Sequence, residues 1–413
     1  MRLSLRLAAM HSGEFRLRTL VLPFYLPAFL WATGSGVILP VLPLHIRSLG
    51  AGLSETGIIL AAFAVGAVLG NLPGGAAIAR FGKRRAILAS VLFEVVLAAS
   101  IVFIQHPWAL APVLFLLGAS HTVFFLARLA YFREVVPTHR RGRALSFLGG
   151  EARMGTSIGP VIGGFVADAF GFRATFVLFA VFSALVFLIS GAFVPRDVAH
   201  TNFRRDSDVQ VLKPGSLRHS FDLFREYRRV FLTAGFGILM LSLVREARKV
   251  LFPLWGDFIG MSPSGIGLLF GAAYLVELAL FYPAGWIMDH VGRKSTAVPC
   301  LLLFTLGFLL LPVARTPALF VALAVLVSIG NGIGSGINMT LSSDFAPHGR
   351  VVEFLALWRT VTDVGGAVSP MIVGFVSAGL GLVAAAPVIS IASLSGAIVM
   401  GFAMNETLKR GER

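Results

Sequence analysis

Apolar residues in this chain fall into long runs separated by short clusters of Gly, Pro and charged residues. A helix that crosses the hydrocarbon core of a bilayer needs about 20 predominantly apolar residues. Reading runs of that length between the breaks predicts twelve spans, at residues 19–45, 55–78, 86–105, 109–132, 144–168, 173–195, 230–254, 264–288, 296–313, 317–343, 353–377 and 381–404. An even number of crossings leaves both termini on one side. The first run is too long for a secretory apolar region and continues without an Ala-x-Ala pattern, so it reads as a retained helix.

Composition narrows the picture. The chain is 56% hydrophobic and 13% charged, whereas charged residues make up about a quarter of an ordinary soluble domain. With a mean hydropathy of +0.84, a soluble domain and a disordered chain are both excluded. A disulfide scaffold is excluded too, because Cys300 is the single cysteine. The net charge of +15 raises the question of a nucleic-acid partner. The positions of the charges answer it. Of 35 Lys and Arg residues, 26 fall in one set of loops and three (Arg47, Arg173, Arg315) in the opposite set. By the positive-inside rule both termini are cytoplasmic, in a multi-pass protein of the inner or plasma membrane whose surroundings are lipid, and no nucleic acid is implied. The remaining six, Arg128, Arg153, Arg245, Arg248, Lys249 and Arg359, lie within the spans.

The sequence also repeats. Shifted by 210 residues without a gap, Ser54 falls on Ser264, Gly57 on Gly267, Pro73 on Pro283, Gly75 through Gly82 on Gly285 through Gly292, and Glu134 on Asp344. Further on, Arg140 falls on Arg350, Gly155 on Gly365 and Pro160 on Pro370. One constant offset over so many positions implies six helices followed by six more in parallel repetition. The expected domains are a first bundle over 1–195, a cytoplasmic linker over 196–229 and a second bundle over 230–413. Within the linker Leu217, Phe221, Phe224 and Tyr227 recur near helical spacing among arginines. That pattern suits either a basic amphipathic helix on the inner leaflet or a solvated linker.

Two motifs carry a family resemblance. The loop after the second span reads Gly75-Ala-Ala-Ile-Ala79-Arg80-Phe-Gly82-Lys83-Arg84, and its repeat Gly285-Trp-Ile-Met-Asp289-His-Val-Gly292-Arg293-Lys294. Glycines there permit a tight turn and close helix contact, and the basic cluster suits the anionic inner leaflet. Both loops resemble the cytoplasmic Gly-x-x-x-Asp-Arg-x-Gly-Arg-Lys motif of the major facilitator superfamily, and the resemblance covers essentially the whole chain. It implies an all-α fold of twelve transmembrane helices in two six-helix bundles, with alternating access between them. It also implies that Asp289 holds the start of the fifth helix, near Arg140, Arg141 and Arg143. The first-half position is Ala79, which departs from the motif and implies a weaker inner gate on that side. The fifth span reads Gly155-Thr-Ser-Ile-Gly159-Pro160-Val-Ile-Gly163-Gly164. It resembles the motif of the drug:proton antiporter branch and points to export, while its spacing alone fits tight helix packing equally well. The arginine which that branch carries in its fourth helix is replaced here by Leu114. Arg128, nearly four turns later and about one turn inside the cytoplasmic end, reads either as a proton-coupling or substrate cation or as a side chain snorkelling to the headgroups.

Ionisable residues at mid-membrane cost at least ~2.5–3.5 kcal/mol each and call for partners or a water-filled cavity. The proton-coupling candidates are Glu246, Asp363, Glu277 and Glu151, with Glu246 first. Arg153 near the middle of the fifth span is expected to pair with Glu277 across the interface, because the family packs the fifth helix beside the eighth. Arg245, Arg248 and Lys249 share one face of the seventh span, so they should face the interior, either as a site for an anionic or amphiphilic group or as a structural network anchoring the outer gate. Arg128, Phe24, Phe29, Trp31 and Asn338 complete the cavity candidates. Asn338 and His121 read equally as hydrogen-bond partners of neighbouring helices, and Glu94 as an interhelical or snorkelling acid.

No phosphate-binding Gly-x-x-x-x-Gly-Lys-Ser/Thr loop occurs, so ATP-driven transport by this chain is not expected, and no His/Cys cluster suggests a metal. The leading expectation is a monomeric secondary active exporter of small amphiphilic compounds, driven by the proton gradient without a bound cofactor. Uptake or facilitated exchange of a small metabolite is the alternative. A membrane-embedded lipid enzyme would need paired catalytic groups at one depth, and the acids here are scattered over several spans.

Overall fold

A computed structural model describes residues 20–136, 138–194, 222–347 and 349–408. Twelve long helical units follow one another among the described residues. The first, α1, spans 21–48 in three segments (Val21–Tyr25, Leu26–Ile38, Val41–Ser48). It is followed by α2 (Leu53–Phe81), α3 (Lys83–Ile101), α4 (Leu110–Val135), α5 (Thr138–Phe170) and α6 (Phe172–Phe193). The second half holds α7 (Arg228–Phe258), α8 (Pro263–His290), α9 (Lys294–Leu310), α10 (Pro317–Phe345), α11 (Val351–Leu380) and α12 (Leu382–Phe402). Ten of them are long and apolar enough to cross a membrane by composition alone. The exceptions are α3, which opens on Lys83, Arg84 and Arg85 and carries Glu94, and α5, which carries Glu151, Arg153 and Asp168.

Local chemistry sets the helix ends. Pro263 and Pro317 occupy first-turn positions, while the Ser262 and Thr316 hydroxyls accept from the N–H groups of Gly265 and Leu319. The tight turns from α5 to α6 and from α11 to α12 each rest on a glycine at positive φ, Gly171 and Gly381, 210 residues apart.

The repeat extends to contacts. The Gly155 Cα lies so near α1 that an added Cβ would come within 2.7 Å of the Phe29 carbonyl oxygen, and the same substitution at Gly365 would meet Leu239 on α7 at 2.4 Å. Lys83 pairs with Glu134, and Arg293 pairs with Asp344 at 2.9 Å. Arg84 donates to the Gly191 carbonyl at 2.7 Å and Lys294 to that of Gly401 at 3.0 Å. Each of these pairs is related by the offset of 210.

The halves meet where α5 crosses α8 and α2 crosses α11. On both pairs the closest backbone approaches lie towards the outer ends. A Cβ at Gly267 would sit 2.3 Å from the Pro160 carbonyl oxygen, and one at Gly57 2.4 Å from that of Pro370. The Ser264 N–H also donates to Asp168 at 3.0 Å. The molecule is therefore closed on its outer side.

Of the linker, the described end packs on the second half. Leu223 is buried, Phe224 lies 5.3 Å from Phe231, and Tyr227 meets Phe354 edge-on at 5.8 Å. Leu217 and Phe221 lie outside the described residues.

Candidate functional site

The seventh helix brings Arg245, Glu246, Arg248 and Lys249 to mid-depth, where each finds a different partner. Arg248 is buried and pairs with Glu277 on α8, with the Tyr274 ring 5.5 Å from its guanidinium carbon. Lys249 and Glu246 pair with each other at 2.5 Å, and both side chains are 37% exposed. Being exposed and within reach of the first half, the pair opens onto the space between the halves. Lys249 lies within electrostatic reach of His121 on α4, across that space. Arg245 donates to Asn331 Oδ1 at 2.6 Å and to the Gly334 carbonyl at 2.9 Å, both neutral acceptors on α10.

The first half contributes a more apolar wall. Trp31 donates to Glu94 at 3.1 Å, and its ring stands 4.0 Å from that of His121. Arg128 is only 6% exposed and lies over Trp31, Phe124 and Phe125 at 5.4–5.9 Å. Its Nε and Nη1 have no hydrogen-bond partner, and neither does the buried Oε1 of Glu151, the acid nearest to it in charge. This arrangement corrects the snorkelling reading, because aromatic rings enclose the guanidinium and it does not extend to the headgroups.

Other expectations change as well. Arg153 does not pair with Glu277, which Arg248 occupies. It donates to Ser335 Oγ at 3.1 Å and lies 4.2 Å from the Phe281 ring centroid. Phe24 lines no cavity, being buried against Tyr131 and Phe132 of α4. Phe29 is half-buried and faces α5 through its backbone. Asn338 accepts from Trp358 Nε1 at 2.7 Å, joining α10 to α11. Asp363 has Arg359 as its ion-pair partner at 3.5 Å on the same helix.

In the loop motifs, Asp289 is 71% exposed, with Arg293 at 3.8 Å. The side chains of Arg140, Arg141 and Arg143 lie outside what the structure describes. Lys83, Arg84, Arg293 and Lys294 bind carboxylates and helix-end carbonyls of their own bundles, where cations complement the helix dipole. Arg80 lies over Phe81. The glycines of the fifth-span motif divide between two partners. Gly155, Gly159 and Gly163 admit α1, whereas Pro160 and Gly164 meet α8 of the other half.

One partner was not anticipated. Glu406, beyond α12, accepts from the N–H groups of Arg293 at 2.9 Å and Lys294 at 3.0 Å, capping the start of α9. A carboxylate about four residues past an apolar run gives no signal of its own in the sequence.

Comparison with known proteins agrees with this architecture. The Major Facilitator Superfamily profile matches residues 24–245 and 234–412. The multi-drug resistance efflux pump PmrA of Streptococcus pneumoniae is 22% identical over 83% of this chain and 85% of its own. The quinolone resistance protein NorA of Staphylococcus aureus is 24% identical over 85% and 88%. Among solved structures, a D-xylose–proton symporter superposes with a TM-score of 0.70 at 17% identity, over 95% of this chain and 98% of its own. A POT family transporter in complex with 5-aminolevulinic acid gives 0.73 at 15%, over 94% and 96%. The chain is a multi-pass membrane transporter, not an enzyme, and belongs to the major facilitator superfamily.

Proposed function

We propose that this protein exports small amphiphilic compounds from the cytoplasm, using the proton gradient and no bound cofactor, as a monomer whose two halves alternate access. The observation that carries the reading is the half-exposed Glu246–Lys249 pair at mid-depth, in a molecule closed outside by glycine-to-carbonyl contacts. A proton reaching Glu246 through the space between the halves removes the partner of Lys249 and changes the charge at the interface. That change is what couples a proton to the position of the halves. Glu277 is less suited to the role, because its carboxylate is buried against Arg248. Likeness to the efflux pumps PmrA and NorA supports the outward direction.

The test uses proteoliposomes with an imposed pH gradient and a fluorescent amphiphile. An exporter oriented inside-out accumulates the dye when its cytoplasmic face looks outward and the lumen is acid. Glu246→Gln abolishes the gradient-driven part and leaves exchange of dye for dye. Flux that follows only the dye gradient, whatever the pH, refutes proton-coupled export and leaves facilitated exchange.

A further inference from the structure

We infer that the transported compound carries an anionic group, a carboxylate, sulfonate or phosphate, held between Arg153 of the first half and Arg245 of the second. This rests on the transporter reading above and deepens it.

The argument is one of charge and of unused donors. Four cations, Arg153, Arg245, Arg248 and Lys249, stand against two acids, Glu246 and Glu277, where the halves meet. Two of the cations are neutralised by direct pairs, Arg248 with Glu277 and Lys249 with Glu246. Arg153 and Arg245 are bound only to neutral oxygens, those of Ser335, Asn331 and Gly334. Their acceptors Ser335 and Gly334 are consecutive residues, so the two guanidiniums converge on one point of α10, while the carboxylate of Glu277 is already occupied by Arg248. Two like charges in a low-dielectric interface are costly unless a counter-charge joins them.

A guanidinium offers five N–H donors in a planar fork. The bonds above use one nitrogen of Arg153 and two of Arg245, so both retain donors for a bidentate acceptor. The Phe281 ring, 4.2 Å from the Arg153 guanidinium carbon, supplies an apolar surface beside the charge. The site therefore matches an aromatic or aliphatic body with an anionic head. A lipophilic cation would meet two uncompensated positive charges there. Because the two arginines belong to different halves, an anion between them also ties substrate occupancy to the relative position of the halves.

The test is binding of three isosteric probes, 2-naphthoate, 2-naphthamide and 2-naphthylmethylammonium, to the full chain in nanodiscs with no gradient. Naphthoate is expected to bind about tenfold or more tighter than the amide, the scale of one charge-assisted contact, with the ammonium weakest. Arg153→Gln and Arg245→Gln each bring naphthoate to the level of the amide and leave the amide unchanged. If a Gln variant does not fold, Arg245→Lys, which keeps the charge and loses the fork, shows a reduced anion preference with the amide unchanged. Equal or tighter binding of amide or ammonium, no naphthoate binding at millimolar concentration, or an equal loss for all three probes in folded variants overturns the inference. Anion preference without proton-driven flux refutes the export reading alone. Proton-driven flux without anion preference refutes this inference alone.

Discussion

The outer closure rests on bare backbone contacts, which makes it sensitive to a single methyl group. In Gly267→Ala the new Cβ would stand 2.3 Å from the Pro160 carbonyl oxygen and 3.2 Å from the Gly164 Cα. Ordinary contact needs roughly 1 Å more, and neither obstacle is a flexible side-chain end, so α8 must withdraw from α5. Overpacking of this kind costs about 1–3 kcal/mol. The cost falls only on the state in which these ends touch, so it shifts the population towards the outward-open state by about 5–150-fold. Gly57→Ala, 2.4 Å from the Pro370 carbonyl oxygen, should act in the same direction through the repeat-related pair α2 and α11. Labelling of a single cysteine at Ser264 by an impermeant maleimide, in a Cys300→Ser background, reads the change as a faster rate. Gly155→Ala is the control, because its Cβ would press on Phe29 within one half. If Gly267→Ala and Gly57→Ala fold and leave the labelling rate unchanged, or if Gly155→Ala raises it equally, the glycine contacts do not set the outer gate.

Ala79→Asp restores an acid to the first-half loop and should move the same probe towards the outward-facing state by about two- to fivefold, the worth of one charge at a helix N-terminus; no shift would refute the weak-gate reading. Burial raises the affinity of Glu406 for a proton, but N–H donation from Arg293, Lys294, Leu408 and Thr407 outweighs it, so its carboxyl titrates below the ordinary range. The docking of the segment after α12 is therefore complete above the unfolded Glu value of about 4.3 and is lost as the pH falls through the folded value; a fluorophore on the C-terminal end should report release in acid, and Glu406→Gln should be released already at neutral pH. Naphthoate binding should tighten in Glu246→Gln, which removes a negative charge from the interface and leaves Lys249 without its partner; calorimetry on the variant checks this, and weakening refutes it.

The spans, their orientation and the 210-residue repeat are legible in the sequence because hydrophobic length, loop charge and glycine spacing are local properties. The contacts of Lys83 with Glu134 and of Arg293 with Asp344 follow that same offset in the structure. Partner choice among the buried charges is not legible. Arg153 and Arg248 both stand at a depth where Glu277 is a reasonable partner, and although α8 packs chiefly on α5, it is Arg248 of α7 that takes the carboxylate. Phe24 fails for the same reason, since a helix that lines the cavity still turns most of its aromatic residues into its own bundle. The capping by Glu406 depends on where α12 ends relative to α9, a distance that no sequence period encodes.

The sign of the charges constrains how a proton and this substrate can be linked. An anion between Arg153 and Arg245 is stabilised by every added positive charge, and protonating Glu246 adds one by releasing Lys249. Proton and anion therefore favour each other at the interface. Direct competition for one site, the simplest scheme for exchanging a proton against a drug cation, has the wrong sign here. If the protein exports an anionic compound against protons, the exclusion must act through the equilibrium between inward- and outward-open states, with the proton stabilising one and the anion the other. A substrate that also carries an amine reopens direct competition, because its cationic group contends with Lys249 for Glu246 while its anionic group keeps the two arginines. The charge carried by the compound and the direction of its transport are therefore linked through Glu246. Loss of the pH dependence of naphthoate binding in Glu246→Gln would assign that link to this carboxylate, and the direction of proton-driven flux then tells exchange through the two states from co-transport of proton and anion.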